Sequence, residues 1–185
     1  SNNSNNRALY VLYIKHNIKN FIQPLNGYYI SINPKLNGTF LGGAYNYLKT
    51  DMELKFFKNI FNDIVWATRI KSGFIYNMDN ITLGSEVPNF DKFFLGGSSS
   101  LRGWTSPLDY NDEMGGLSRI LVNCEIRMPI YKIIGLELFY DAGIIDLSDI
   151  ENDFHWNIGW GITILSGLGN YDSANTCECS FECND

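Results

Sequence analysis

The sequence contains no apolar run long enough to cross a membrane as a helix. A transmembrane helix needs about 20 mostly apolar residues. The most apolar stretches here, such as residues 133–140, are interrupted by glycine or glutamate. The chain is therefore not expected to be a helical membrane protein.

Charged side chains are also scarce, at 18% of the residues against 45% hydrophobic and 15% aromatic ones. This fraction is low for the surface of a water-soluble protein. The net charge is -6, and an acidic balance argues against broad binding of nucleic acid, which favours a basic face. The composition thus argues against nucleic-acid binding, and the low fraction of charged residues requires a separate explanation.

Residue types that form catalytic or metal sites are few. His16 and His155 lie far apart in sequence and have no partner at the spacing of a zinc site or a catalytic triad. Cys124 stands alone in a strand pattern and is interpreted as a small hydrophobic residue. Three more cysteines lie near the end of the sequence, at Cys177, Cys179 and Cys183. Their spacing matches no zinc finger, although disulfides stay open. We expect no catalytic residue, no metal site and no cofactor.

The dominant period of the sequence is two, which is typical of β-strands. Apolar and polar residues alternate over segments that are separated by Asn, Gly, Asp and Pro. In one segment Met52 and Leu54 share a face, while Asp51 and Glu53 share the other. The pattern predicts an all-β fold of about seven strands, at residues 7–15, 27–35, 46–58, 66–76, 118–128, 136–142 and 156–164.

Alternation alone does not show which face meets water, because a soluble sandwich or lipocalin-like barrel alternates in the same way. Three features favour an antiparallel transmembrane β-barrel. The segments are about as long as a tilted strand that crosses a bilayer. Aromatic residues lie near several segment ends. The polar faces carry charges of both signs, which suits a water-filled lumen as well as an outer surface. Both kinds of barrel stay open at this point.

A stretch of about 40 residues without alternation separates the strands near Tyr76 and Gly116, which is too long for an ordinary hairpin loop. It contains the run F-F-L-G-G-S-S-S-L-R-G-W at residues 93–104. The segments N-C-E-I-R-M-P at residues 123–129 and L-F-Y-D-A-G at residues 138–143 follow it. In order and spacing, these segments resemble the signature loop and the next two strands of the BamA/TamA superfamily of outer-membrane assembly factors.

The resemblance covers roughly residues 27–165 and implies a partial barrel, with about seven strands of a sixteen-stranded barrel and a long inward-folded loop. It implies a bacterial outer membrane, with an organellar one less favoured. It also implies a non-enzymatic factor that inserts unfolded β-barrel substrate proteins, with outer-membrane lipid and accessory lipoproteins of an assembly complex as partners and no nucleic acid. A related translocation or two-partner secretion pore is the alternative, as is the barrel anchor of a larger fused protein.

In the family the loop folds back into the lumen, and its motif corresponds here to Gly96, Gly97, Leu101, Arg102, Gly103 and Trp104. By alternation Glu125 and Asp141 face the lumen, and the resemblance implies that Arg102 bridges them. Its planar guanidinium can bind carboxylates through several hydrogen bonds, which lysine cannot reproduce. We expect Gly103 to allow a tight or positive-φ turn. We expect Gly96 and Gly97 to let the loop pack closely against the wall.

The predicted barrel part comprises residues 1–165, with the loop at residues 77–116. After the G-W-G-I run at residues 159–162, the family continues through further strands and ends on an aromatic residue. Residues 166–185 depart from this pattern and are predicted to form an atypical cysteine-containing tail. The remaining strands of the barrel and the periplasmic POTRA repeats of the family are expected to lie outside this sequence.

Overall fold

A computed structural model of the protein describes residues 7–43, 45–78, 87–104, 115–131, 134–146, 154–164 and 179–182. The strands within these residues are β1 (Ala8–Tyr10), β2 (Tyr13–His16), β3 (Gly27–Asn37), β4 (Tyr47–Phe61), β5 (Ile64–Asn77), β6 (Ser118–Tyr131), β7 (Ile134–Ile145), β8 (Phe154–Ile164) and β9 (Cys179–Glu182). Two short 3-10 helices occupy Thr39–Leu41 and Asn89–Asp91. No helix in this described part has the length and hydropathy needed to cross a membrane.

All these strands belong to one antiparallel sheet. From β3 to β8 each strand pairs with the next one in the sequence, and β9 extends the sheet beyond β8. In the ranges given above, the first and last strands do not pair with each other, so the sheet is open. The prediction of an all-β, antiparallel fold is confirmed.

β1 and β2 are two halves of the first predicted strand. Both pair with β3 in one continuous register, with Tyr10 opposite Lys35 and Tyr13 opposite Ile32. The gap between them lies opposite Pro34. The N–H of Val11 donates to the Pro34 carbonyl at 3.1 Å, but proline has no N–H with which to return the bond. The missing donor explains why this strand is interrupted.

The two faces of the sheet differ in chemistry and in exposure. The outer face carries large hydrophobic side chains that remain exposed, among them Met52, Leu54, Phe56, Trp66, Ile70, Phe74, Ile126, Leu138, Tyr140, Ile158 and Trp160. The inner face carries most of the charged residues, and the loop between β5 and β6 lies against it. A soluble barrel would bury its apolar face. The observed arrangement is that of a membrane barrel, in which apolar residues meet lipid.

β9 lies in the segment that is predicted to be an atypical tail. Its residues Cys179–Glu182 pair with β8 from Asn157 to Trp160, so this part of the tail extends the sheet. Cys177 and Cys183 lie outside the described residues, and the side chain of Cys179 is not described. The division of the chain at residue 165 stays a prediction.

Candidate functional site

The described part of the long loop, residues 87–104, begins against the sheet and ends in a compact turn. Phe93 forms a two-way backbone bridge with Gly116, with both N–H to O distances at 2.9 Å. The turn is closed by its own backbone, because the N–H of Gly97 donates to the Trp104 carbonyl at 2.7 Å and the N–H of Ser100 donates to the Gly97 carbonyl at 3.0 Å. These bonds close residues 97–104 into one turn, from which the side chain of Arg102 reaches the inner face.

Arg102 lies at the centre of a buried cluster of carboxylates. Its Nε donates to Oδ2 of Asp141 at 2.9 Å, and its Nη2 donates to Oδ1 of the same residue at 2.7 Å. Its Nη1 donates to Oε1 of Glu137 at 2.6 Å and lies 3.1 Å from Oε1 of Glu125. The backbone N–H of Arg102 also donates to Asp141, at 3.2 Å. One guanidinium therefore contacts three carboxylates, and the contact with Asp141 is bidentate.

The sequence predicts two of these three partners. The structure brings Arg102 together with Glu125 and Asp141 as expected from the motif, and adds Glu137, which is not among the predicted site residues. Alternation offers a signal for Glu137, because it shares a face and a strand with Asp141. Its cross-strand neighbour is Arg127, which contacts Glu125 at 2.5 Å and Glu137 at 3.9 Å.

The cluster is almost closed to solvent. The side chains of Arg102 and Asp141 are 8% and 0% exposed. The guanidinium carbon lies 3.7 Å from the centre of the Phe139 ring, a stacking that arginine makes readily. Asn123 on β6 donates from Nδ2 to Oδ1 of Asp141 at 2.7 Å. Burial disfavours the charge of Arg102, but the hydrogen bonds and negative charge of Asp141 outweigh it and raise the pKa above its ordinary value. Arg102 is therefore permanently charged.

The glycines of the motif agree only in part with their expected roles. Gly103 is not among the positive-φ residues; instead, a β-carbon there would lie 2.9 Å from the Cβ of Asn157. Gly96 and Gly97 have φ values of 114° and 80°, and a β-carbon at Gly97 would meet nothing within 4 Å. Gly103 thus provides a close approach within a tight turn, in which the N–H of Trp104 donates to the Leu101 carbonyl at 3.1 Å, so a tight turn forms there without a positive φ. Gly96 and Gly97 supply the unusual backbone; Gly96 is buried, whereas the expected close packing is absent at Gly97. Sequence pattern shows that a glycine is needed, but not which of its two properties is used.

The apolar residues of the motif belong to a small buried cluster beside the ion cluster. Leu101 is fully buried, and Trp104 packs against the same group and meets the His155 ring edge-on, with centroids 4.7 Å apart. Gly143 makes room for them, because a β-carbon there would lie 2.9 Å from Cδ1 of Leu95. The buried members of this cluster are Leu95, Leu101, Leu121 and Ile145.

Two further contacts hold the turn from β5 and β6. Nη1 of Arg69 donates to the carbonyl of Ser99 at 2.8 Å, and Nδ2 of Asn123 donates to the carbonyl of Ser100 at 2.8 Å. Both side chains bind loop backbone, so the loop sequence does not reveal them. Among the described residues, no group of three His, Cys, Asp or Glu side chains is placed to hold a metal ion.

Comparison with known proteins agrees with this geometry. The family model for the Omp85 superfamily domain matches residues 1–172. The chain is 30% identical over 100 residues to the sorting and assembly machinery component 50 homolog of Bos taurus, which covers 51% of this chain and 20% of that protein. It is 27% identical over 143 residues to the outer membrane protein assembly factor BamA of Nitratidesulfovibrio vulgaris, covering 73% of this chain and 17% of that protein. The chain spans about a fifth of the length of these relatives.

The fold is also similar to that of a solved structure, BamA from Haemophilus ducreyi lacking POTRA domains 1–3. The TM-score is 0.72 at 18% sequence identity, over 94% of this chain and 38% of that chain. This match confirms the prediction of a partial barrel, since nearly all of the chain corresponds to a part of a larger structure. The match of the family model to most of the chain shows that the chain belongs to the Omp85 superfamily, whose members lie in the outer membrane of bacteria or of organelles.

Proposed function

We propose that the chain is the barrel part of a non-enzymatic factor that inserts unfolded β-barrel proteins into an outer membrane. The observation that carries the proposal is the docking of Arg102 among Glu125, Glu137 and Asp141 on the inner face of a sheet whose outer face is apolar. The names of these relatives describe assembly machinery. Insertion forms and breaks no covalent bond, so the proposal requires no catalytic residue.

The docked loop has a mechanical role in this proposal. At an effective dielectric constant near 20, a charge pair at 4 Å is worth about 4 kcal/mol before desolvation is subtracted. Arg102 makes three such contacts, all at shorter distance. They hold the loop against β6 and β7, so that the inner wall keeps one shape while the outer face meets lipid. Incoming strands of a substrate would then meet a preformed barrel wall rather than a collapsed one.

The proposed location is a bacterial outer membrane, and accessory lipoproteins are the proposed partners. The bacterial assembly factor matches over 143 residues and the bacterial solved structure over 94% of the chain, against 100 residues for the animal relative. An organellar outer membrane is the alternative, supported by the 30% identity to the Bos taurus protein. Fractionation of the cells that make the protein distinguishes the two, because recovery with an organelle would overturn the bacterial assignment.

The experiment that tests the function uses the purified full-length protein in lipid vesicles. An unfolded β-barrel protein is added, and its folded fraction is followed by heat-modifiable gel mobility. We expect the full-length protein to accelerate folding, and Arg102→Ala to lower the initial rate at least roughly tenfold, the factor that corresponds to about 1.4 kcal/mol. The matched control is Arg7→Ala, because Arg7 is exposed and lies far from the cluster.

Two results would contradict the proposal. Equal folding rates with and without the full-length protein would show that it does not insert barrels. Passage of an added soluble protein into the vesicles, without faster barrel folding, would instead support a translocation or secretion pore.

A further inference from the structure

Asp91 is a loop residue that lies in a basic part of the inner face. Both oxygens of its carboxylate accept hydrogen bonds from Nζ of Lys35 on β3, each at 2.6 Å. The hydroxyl of Tyr47 on β4 donates to Oδ2, and Nζ of Lys49 on β4 donates to the backbone carbonyl of Asp91 at 2.7 Å. Asp91 is 7% exposed. Its position is therefore set by three side chains from two strands.

The inner face beneath Asp91 carries two lysines that lie opposite each other on neighbouring strands. Lys35 and Lys49 are direct cross-strand partners on the same face. Like charges that face each other in this way destabilise a sheet. On β3 and β4, the acidic residue that contacts this pair of lysines is Asp51, whose Oδ2 lies 4.0 Å from Nζ of Lys49. Asp91 supplies the close carboxylate partner of Lys35, and its backbone carbonyl accepts a hydrogen bond from Lys49.

Phe93 continues this attachment toward β5 and β6. Its ring lies against Gly73, where a β-carbon would come within 2.5 Å of Cζ. Nζ of Lys49 on β4 lies 4.6 Å from the centre of the Phe93 ring, and Cζ of Arg119 on β6 lies 4.9 Å from the same centre. Cations at these distances are attracted to the face of an aromatic ring. The loop is thus held from β3 to β6 before its chain reaches the turn at Gly97.

The two ends of the described loop therefore mirror each other. At one end an acidic loop residue neutralises a basic part of the wall; at the other end a basic loop residue, Arg102, neutralises an acidic part. We propose that Asp91 is a second positioning residue, which sets where the loop crosses the inner face and thereby delivers Arg102 to Asp141. This deepens the proposed function, since it explains how the loop is placed, but its test measures loop position and requires no assembly activity.

The test is limited trypsin digestion of the folded full-length protein in detergent, with mass spectrometry of two peptide bonds. Trypsin cleaves after Lys92, beside the proposed anchor, and after Arg102, in the acidic cluster. We expect Asp91→Asn to raise the initial cleavage rate at least roughly tenfold at both bonds, because cleavage follows the population of the open loop. A purely local role would raise cleavage after Lys92 alone.

Matched variants keep the test decisive. Asp63→Asn makes the same substitution in the β4 to β5 turn, where Asp63 has a φ of 64° that asparagine tolerates, and it should leave both bonds protected. Lys35→Met removes the same ion pair from the strand side. The double variant Lys35→Met/Asp91→Asn should cleave no faster than Asp91→Asn alone, because the ion pair with Lys35 is already lost in that single variant. Protection of the bond after Arg102 in folded Asp91→Asn, or strictly additive effects in the double variant, would overturn the proposal.

Discussion

Gly103 and Asn157 touch, with no room between them for a side chain: a β-carbon on Gly103 would lie 2.9 Å from Cβ and 3.1 Å from Cγ of Asn157. Asn157 is the cross-strand neighbour of Asp141 on β8. The backbone next to Arg102 therefore rests on the residue that flanks the main partner of Arg102. The loop can reach Asp141 at this depth only because residue 103 lacks a side chain.

Substitution of Gly103 should consequently displace Arg102. We expect Gly103→Asn to cost about 1–3 kcal/mol, the usual range for overpacking, and to expose the bond after Arg102 to trypsin. Gly97→Asn is the matched control, since Gly97 has open space and a positive φ that asparagine accepts better than most residues. Equal trypsin sensitivity of the two variants would contradict the contact between Gly103 and Asn157.

Lysine should not replace Arg102. The ammonium group cannot make the bidentate contact with Asp141 and also reach Glu137, and it does not stack on Phe139 as a planar guanidinium does. Loss of hydrogen bonds to charged groups costs about 1.5–3 kcal/mol each. We therefore expect Arg102→Lys to insert barrel substrates in vesicles nearly as slowly as Arg102→Ala. Wild-type rates for Arg102→Lys would mean that only the charge matters.

The three carboxylates of the cluster should contribute unequally. Asp141 accepts three hydrogen bonds from Arg102, Glu137 accepts one at 2.6 Å, and Glu125 lies at 3.1 Å and is shared with Arg127. We expect trypsin cleavage after Arg102 to rise most in Asp141→Asn, less in Glu137→Gln and least in Glu125→Gln. The reverse order would show that distances in the cluster do not rank its interactions.

Docking through Asp91 should weaken only in strong acid. Burial alone would raise the pKa of Asp91, but the hydrogen bonds from Lys35 and Tyr47 outweigh it and hold the pKa below its ordinary value of 3.8. A lowered pKa in the docked state means that the contribution of Asp91 is complete above 3.8 and is lost as the pH falls through the lowered value. The expected readout is a spin label at Ser98, which is exposed at the turn.

In that experiment the wild type and Asp91→Asn should differ in label mobility from pH 5 to pH 8 and converge in stronger acid. Circular dichroism at each pH verifies that the sheet stays folded. A difference between the two proteins that grows on acidification would have the wrong sign for a carboxylate that docks in its charged form.

The outer face should reject charge where the inner face accepts it. Leu138 is 44% exposed on the outer face of β7, and an arginine near the bilayer midplane of a barrel costs about 2–4 kcal/mol. We expect Leu138→Arg to reduce the membrane-integrated fraction that resists urea extraction. Ser31→Arg is the control, because Ser31 lies on the inner face opposite Glu53. Equal integration of both variants would contradict the assignment of the faces.

The sequence predicts the strands and their faces well, because alternation is a local property that one strand shows by itself. It also predicts that Arg102 meets Asp141, through a motif that spans both residues. Contacts between Asp91 and Lys35, which are 56 positions apart, have no such signal, since each residue alone is an ordinary charge. β9 is missed for another reason: with only 4 residues, it is too short to show a period of two.

The paired attachment of the loop also restricts how its length can vary. Asp91 and Arg102 are held by different strands, β3 with β4 at one end and β7 at the other. The chain between the two residues therefore has a length that matches the distance across the intervening strands. An insertion or deletion between these two residues would carry one of them out of reach of its partners. In homologous sequences the number of residues between them should therefore vary less than the identity of the residues that fill the interval.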